Sequence, residues 1–401
     1  MSEFSANALP VLRLKRNEDK RLRAGHLWVF SNEVDTVATP LTGFEPGAPA
    51  RIVNHRDQFV GYGCVNPRSL ISARILSRDE AQPIDVALLR RRLQSALALR
   101  ERLYADRCYR LVFGESDGLP GLVVDRYGDV LVGQLATLGM ERLRPLIEAA
   151  LHEVVAPRVL VWKNDGSARD LEQLPHEVVV AAGEMPDHIE VIEAGLRLQA
   201  PLATGQKTGW FYDQTANRER LRRYLPKGAR VLDVCSYAGA WALTALHHGA
   251  ASATCVDSSQ QALDWAQRNA EANGMAVEVI KADAFQAMEQ LRAAGERFDV
   301  VIVDPPAFIK RRRDLPQGEA AYRKLNQLAI RLLNDPGVLV SCSCSWHLPH
   351  DSLPELVQSA AAAAGREARV LEFGGQSPDH PVHPAIPESR YLKSVFCHIT
   401  G

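Results

Sequence analysis

The chain has 401 residues, 46% of them hydrophobic and 24% charged, enough for two or three packed domains and too apolar for a disordered chain. A formal net charge of −1 excludes a general pull on nucleic acid, so any such surface must be a local patch. Seven cysteines in no framework spacing, no signal-peptide core and no apolar run of membrane-spanning length lead to the expectation of a cytoplasmic protein without membrane contact.

Residues 9–14 alternate apolar and basic side chains, as a strand does. Lys15, Arg16, Lys20, Arg21 and Arg23 follow, with Trp28 and Phe30 just beyond. Residues 50–53 and 59–63 read as strands around a polar turn at 54–57, and 71–76 as another. Short strands with Gly and Pro turns predict a small β-barrel over residues 1–78. The basic cluster beside aromatics fits RNA phosphates and bases, and equally a solvated basic face.

Residues 84–103 predict a helix, with Leu88, Leu89, Leu93, Leu97 and Leu99 inside and Arg90, Arg91, Arg92, Arg100 and Arg102 in water. The stretch ESDGLPGLVVDRYGD (115–129) holds a turn at Asp117-Gly118 and a strand from Leu122. A second turn, at 127–129, returns the chain through 130–135. A helix over 141–154 and strands over 158–163 and 176–181 complete a small α+β domain, 79–187, without a catalytic constellation.

A third domain, 188–401, opens with strand alternation over 189–201. In GQKTGWFYDQ, Lys207, Thr208 and Gly209 are like half of a phosphate loop without its full spacing. Trp210, Phe211 and Tyr212 fit either an adenine wall or a core cap, and Asp213 is placed to cap a helix over 214–224. The stretch RVLDVCSYAGAWALTALHHGAASATCVD (230–257) then reads strand, turn, helix, strand. Asp233 lies near the end of the first strand, Ser236, Tyr237 and Gly239 in the turn, and Asp257 at the end of the second strand. The turn lacks the glycines that close on a pyrophosphate. Two carboxylates suit S-adenosylmethionine, Asp233 its amino group and Asp257 its ribose diol. The rhythm continues through Asp283, placed for an adenine amino group, to Asp304 after the apolar strand 298–303. Four acids at the carboxyl ends of four successive strands reinforce the methyl donor.

Asp304-Pro305-Pro306-Ala307-Phe308 is the reaction-side motif: two prolines stiffen the exit from the strand, so the carboxylate and carbonyls meet a base edge in a fixed direction. Pro305, Pro306 and Phe308 are therefore candidate substrate contacts, as are Lys310 and Arg311 in the basic run 310–313. The strand 337–340 runs into SCSCS. Cytosine C5 accepts a methyl group only after a thiolate has added to C6, and Cys342 is placed for that addition. A buried inert thiol and a Cys-x-Cys metal pair are the alternatives; only His347 and His350 lie near, so no metal is expected.

Together these stretches resemble a known family, the ribosomal large-subunit cytosine-C5 methyltransferases with an N-terminal PUA domain. The marks are GHLWVFSNEV, ESDGLPGLVVDRYGD, KTGWFYDQ, VLDVCSYAGAWAL, DPPAF, SCS and DHPVHPAIPESRYLK, spread over nearly the whole chain. The resemblance implies a PUA β-barrel, a small α+β connector and a C-terminal α/β, Rossmann-like class I methyltransferase domain. It further implies S-adenosylmethionine as donor and 23S rRNA as substrate. Carried over by position, Cys342 matches the nucleophile, Asp304 the base-contacting acid, and Asp233, Asp257 and Asp283 the donor-binding acids. The sequence departs in reading Ser236-Tyr237-Ala238-Gly239-Ala240 where the family often has a second glycine, and in carrying a further cysteine, Cys344, as a rival nucleophile. On an extended strand the two cysteines would share a face. Glu388 is a candidate for the base that removes the C5 proton. Two other functions fit: methylation of a base amino group or a guanine through DPP alone, and an RNA-binding assembly factor that does not catalyse. A homo-oligomer is compatible with the sequence but not derivable from it.

Overall fold

The computed structural model describes residues 9–205 and 207–401, so the first eight positions of the expected barrel lie outside the described residues. The chain forms two compact units. The first takes residues 1–189, 202–210 and 379–389; the second takes 190–201, 211–378 and 390–401.

The first unit opens with β1 (Val11–Arg13), the short helix α1 (Asp19–Arg23), β2 (Trp28–Phe30), β3 (Ala48–Val53), β4 (Phe59–Val65) and β5 (Ile71–Ser77). They form one sheet in the order β1-β3-β4-β5-β2, with only β1 and β3 parallel. A bridge between Leu14 and Val34, just past the two edge strands, brings the ends of that order together as a barrel requires. Leu12, Leu14, Val29, Ile52 and Ile75 fill its interior. Part of the basic cluster is spent internally: Arg21 forks onto Glu33 (2.6 and 2.9 Å) with its guanidinium 4.9 Å from the Phe30 ring centre, and Arg23 reaches Asp19 at 2.7 Å.

Helix α2 (Val86–Leu103) starts where the Asp85 carboxylate accepts the Leu88 N–H at 2.7 Å. Strands β6 (Cys108–Phe113), β7 (Leu122–Tyr127) and β8 (Val130–Leu135), helix α3 (Leu138–Val155) and strands β9 (Val159–Asn164) and β10 (Glu177–Ala182) follow. Their sheet has the order β10-β9-β8-β7-β6. Two expectations for α2 fail. Leu99 is 37% exposed, and Arg100 is fully buried, forked onto Asp117 at 2.6 and 2.8 Å. Helical periodicity sorts faces by polarity, but a charge goes inside when another segment supplies its counter-charge. The carbonyl of Asp379 takes a further bond from Arg100 (2.7 Å), and its carboxylate accepts the Arg110 N–H (2.8 Å), which draws residues 379–389 into this unit.

The second unit takes up the chain at Glu190, within the hairpin of β11 (His188–Glu193) and β12 (Leu196–Pro201), and carries α4 (Thr215–Leu221), β13 (Arg230–Val234), α5 (Ala240–His247) and β14 (Ser252–Asp257). Next come α6 (Gln260–Ala272), β15 (Glu278–Lys281), α7 (Ala284–Ala293), β16 (Phe298–Val303), α8 (Leu315–Arg331) and β17 (Leu333–Ser343). The last elements are α9 (Ser352–Ala363), β18 (Glu367–Gly375) and β19 (Lys393–Thr400). The seven-stranded sheet runs β15-β14-β13-β16-β17-β19-β18, with the first five strands parallel and β19 antiparallel to both neighbours. Central strands covered on both faces must be apolar throughout, and Val231, Leu232, Val234 and Val300, Val301, Ile302, Val303 are all buried. Strand order reverses direction between β13 and β16, so a crevice opens at their carboxyl ends. Asp213 does not cap α4: Gln214 holds that position, while the Asp213 carbonyl takes the Ser377 N–H (2.9 Å).

Candidate active site

Four carboxylates stand at the carboxyl ends of β13, β14, β15 and β16, the positions where an α/β sheet binds ligands. Asp233 is wholly buried in β13. One of its oxygens accepts the Ala242 N–H at 3.2 Å; the other, Oδ1, has no hydrogen-bond partner. Burial pushes this carboxyl up to about 8, against the bond from Ala242, and the charges of Asp304 and Asp257 add to the rise. The turn that follows is tight, with positive φ at Cys235 (66°), Tyr237 (49°) and Gly239 (81°). A Cβ on Gly239 would stand 2.9 Å from Ala266 Cβ, so only glycine fits there. Asp257 accepts the Tyr237 N–H (3.0 Å) and the Ser259 N–H (2.9 Å) and thereby ties the turn to β14. The Ser236 hydroxyl is buried without a partner. Two orphaned polar atoms, on Asp233 and Ser236, are what a cationic, hydroxyl-bearing ligand would satisfy, so the chain's residues fit S-adenosylmethionine. Phe211 meets Tyr237 edge-on, ring centres 5.3 Å apart. Asp283 is exposed and caps α7 through one oxygen, which accepts the Phe285 (2.9 Å) and Gln286 (3.3 Å) N–H groups.

On the reaction side, Asp304 is held by two donors to which the sequence does not point. Trp241 Nε1 reaches one oxygen (3.1 Å) and Gln214 Nε2 the other (2.8 Å). Asn217 Nδ2 in turn fixes the Gln214 amide at 2.6 Å. Desolvation raises the Asp304 carboxyl to about 6, opposed by the bond from Trp241. Pro305 is buried and Pro306 exposed, while the Phe308 ring packs against Tyr322 (4.7 Å) and Phe285 (6.2 Å), which anchors the loop to the core. Lys310, Arg311, Arg312 and Arg313 are exposed. Arg218 is buried beneath this region, forked onto Glu193, and donates to the Phe211 carbonyl at 3.0 Å.

The two cysteines occupy different surroundings. Cys342 lies inside β17 with no exposed surface, its thiol donating to Ser394 Oγ at 3.4 Å, and burial drives its pKa well above the ordinary thiol value. Cys344 lies one residue past the end of β17 and is partly exposed, its sulfur 3.9 Å from the Pro305 carbonyl oxygen.

Other expected positions fall in the first unit. Thr208 is fully buried, with its hydroxyl on the Asp125 carboxylate and its carbonyl accepting from Tyr127 Oη at 3.2 Å. Lys207 is exposed with φ at 51°, and Gly209 has φ of 119° with Ile189 2.9 Å from where its Cβ would be. Glu388 is exposed in a short turn, and its charge acts on His26. Among the described residues, no three His, Cys, Asp or Glu side chains converge as metal ligands, and no helix is long and apolar enough to cross a membrane.

Residues 12–78 match the family model of a PUA-like domain, and residues 175–397 that of an S-adenosylmethionine-dependent methyltransferase. The chain is similar to the ribosomal RNA large subunit methyltransferase I of Cronobacter sakazakii, 36% identical over 97% of this chain and 99% of that protein. It is equally similar to the protein of the same name from Salmonella arizonae, 36% identical with both chains fully covered. In fold it is similar to an S-adenosylmethionine-dependent methyltransferase from Streptococcus mutans, with TM-score 0.80, 19% identity, and 97% and 100% of the two chains covered. A methyltransferase crystallised with S-adenosylhomocysteine gives TM-score 0.82 at the same identity and coverage.

Proposed function

The chain belongs to the ribosomal RNA large subunit methyltransferase I family of S-adenosylmethionine-dependent methyltransferases, and from that premise we propose that it methylates C5 of a cytosine in 23S rRNA through a covalent cysteine–C6 adduct. S-Adenosylmethionine, when bound, supplies an electrophilic methyl group. Asp233 Oδ1, which has no partner, would take its amino group, Asp257 its ribose hydroxyls and the second oxygen of Asp283 its adenine. Asp304, fixed by Trp241 and Gln214, is placed to accept a hydrogen bond from the cytosine N4 amino group.

The observation that carries the reading is the placement of Cys344. Covalent catalysis at C6 needs a thiolate that the base can reach. Cys344 is partly exposed beside the carbonyl of the residue that follows Asp304, whereas Cys342 is sealed inside the sheet. We therefore assign the addition to Cys344, and a packing role to Cys342, the residue that the family resemblance favours. The Cys344 thiol loses its proton to solvent, and the thiolate forms the S–C6 bond. The electron pair released to C5 displaces the methyl group from the donor's sulfonium, so that the C5–CH3 bond forms as the S–CH3 bond breaks and S-adenosylhomocysteine leaves with that bond's electron pair. Removal of the C5 proton then re-forms the C5–C6 double bond and expels the thiolate. The base must leave its helix for this, because stacking hides C6 from any thiol.

The test is transfer of labelled methyl from the donor to unmethylated 23S rRNA, followed by nucleoside analysis. Label in 5-methylcytosine is expected; label in a methylated purine or on an exocyclic amino group would overturn the reading. The exposed run 310–313 gives a separate expectation. If its side chains meet phosphates, replacing all four with Ser lowers the salt slope of RNA binding by about 0.7 to 0.9 for each phosphate no longer neutralised. An unchanged slope removes this run from the RNA surface.

A further inference from the structure

Lys393 opens β19 and stands opposite Ser343 in the antiparallel register of β17 and β19. It is 3% exposed. Its ammonium donates to the carbonyls of Ser345 (2.6 Å) and Leu348 (3.0 Å), on the turn that carries the chain away just past Cys344. Among the described residues no carboxylate lies within ion-pair distance of it. A buried ammonium with carbonyl partners and no counter-charge is an expensive arrangement, and structures keep one where an anion is to be met.

The surroundings name that anion. Burial lowers Lys393 to about 8, and Cys344 is the group whose charge pulls it back up. Arg390, on its own segment, acts in the same sense as burial. His350, on the segment after Cys344, is itself lowered in part by Lys393, and its ring lies 3.4 Å from the Arg390 carbonyl. Asp304 and Cys344 both act on Cys342, and Cys344 acts on Tyr322. The chain is anchored on both sides of Cys344. Tyr322 Oη bonds Ser343 Oγ and Ser345 Oγ, each at 2.9 Å, so the residues flanking Cys344 share one anchor. Ser345 Oγ also accepts the Ile309 N–H (3.1 Å), which ties the same turn to the loop after Asp304.

We propose that Lys393 is the built-in counter-ion of the Cys344 thiolate, held on the Ser345 and Leu348 carbonyls so that its charge favours ionisation of the nucleophile. It moves no proton in the reaction; the thiol proton leaves to solvent. Lys393 is thus a positioning residue that acts through Cys344. The inference rests on the reading of Cys344 as the nucleophile.

The test is the pH dependence of iodoacetamide alkylation at Cys344, followed by mass spectrometry without RNA, in a Cys342→Ala background that leaves one thiol in the peptide. The expected midpoint lies below the free-thiol value of about 8.5. Lys393→Met should raise it by about one unit or more, with donor affinity unchanged and with methyl transfer recovering at higher pH by the same shift. A midpoint at or above about 8.5 with Lys393 in place overturns the inference, and that holds even if the Met variant does not fold. An unmoved midpoint in a folded Met variant also overturns it. Failure of the underlying reading shows elsewhere: Cys344→Ala would retain methyl transfer whatever the thiol titration gives.

Discussion

Cys344→Ala abolishes methyl transfer, with an expected loss of about 10⁴-fold or more, while Cys342→Ala stays within a few-fold of wild type. The first substitution removes the group that makes C5 nucleophilic, and no neighbouring thiol replaces it, because Cys342 has no exposed surface. The second deletes a sulfur that donates to Ser394 Oγ, leaving a small cavity between β17 and β19. RNA carrying 5-fluorocytosine separates the two without relying on turnover. Fluorine at C5 cannot leave as a proton does, so the adduct persists. An SDS-stable protein–RNA complex should form with wild type and Cys342→Ala and be missing with Cys344→Ala. Loss of the complex only in Cys342→Ala would return the nucleophile to the strand interior and require β17 to open.

The choice between these cysteines also shows where the sequence stops being legible. Alternation along an extended chain puts residues 342 and 344 on one face, but that rule holds only inside a strand. β17 ends at Ser343, so Cys342 keeps a strand partner in Ser394 and Cys344 belongs to the turn. A boundary shift of one residue decides which thiol is reachable, and strand ends are what residue patterns locate least well. The acids were legible for the opposite reason. Apolar runs leading to Asp233, Asp257 and Asp304 mark strand ends by composition. The donors that hold Asp304 carried no such mark. Trp241 reads as a core residue of α5, and Gln214 lies 90 positions from its partner. Arg100 and residues 379–389 escaped for the same cause, since each is fixed by a partner remote in sequence.

Asp233→Asn gives two opposed effects, and their opposition marks a side chain that serves a ligand. The amide oxygen still accepts the Ala242 N–H, so the turn after β13 keeps its shape. What goes is the negative charge proposed to meet the donor's amino group, and donor affinity should fall about 10- to 100-fold. In wild type the carboxyl has been raised to about 8 by burial, so at neutral pH the free protein holds it mostly protonated. Binding a cation then requires the proton to leave. Between pH 6 and 8, donor affinity should strengthen by up to about tenfold per unit, with proton release visible as a buffer-dependent calorimetric heat. The Asn variant should show neither.

Stability runs the other way. An unfolded Asp ionises near 3.9, so between about pH 4 and 8 the folded state binds a proton that the unfolded chain does not. The stability this proton lends is complete at low pH and is lost as pH rises through the folded value. Without donor, Asp233→Asn should therefore be more stable than wild type at pH 8 and match it near pH 4, as read by urea unfolding. A variant that lost donor binding but was also less stable at pH 8 would mean that Asp233 supports the turn and does not serve the ligand.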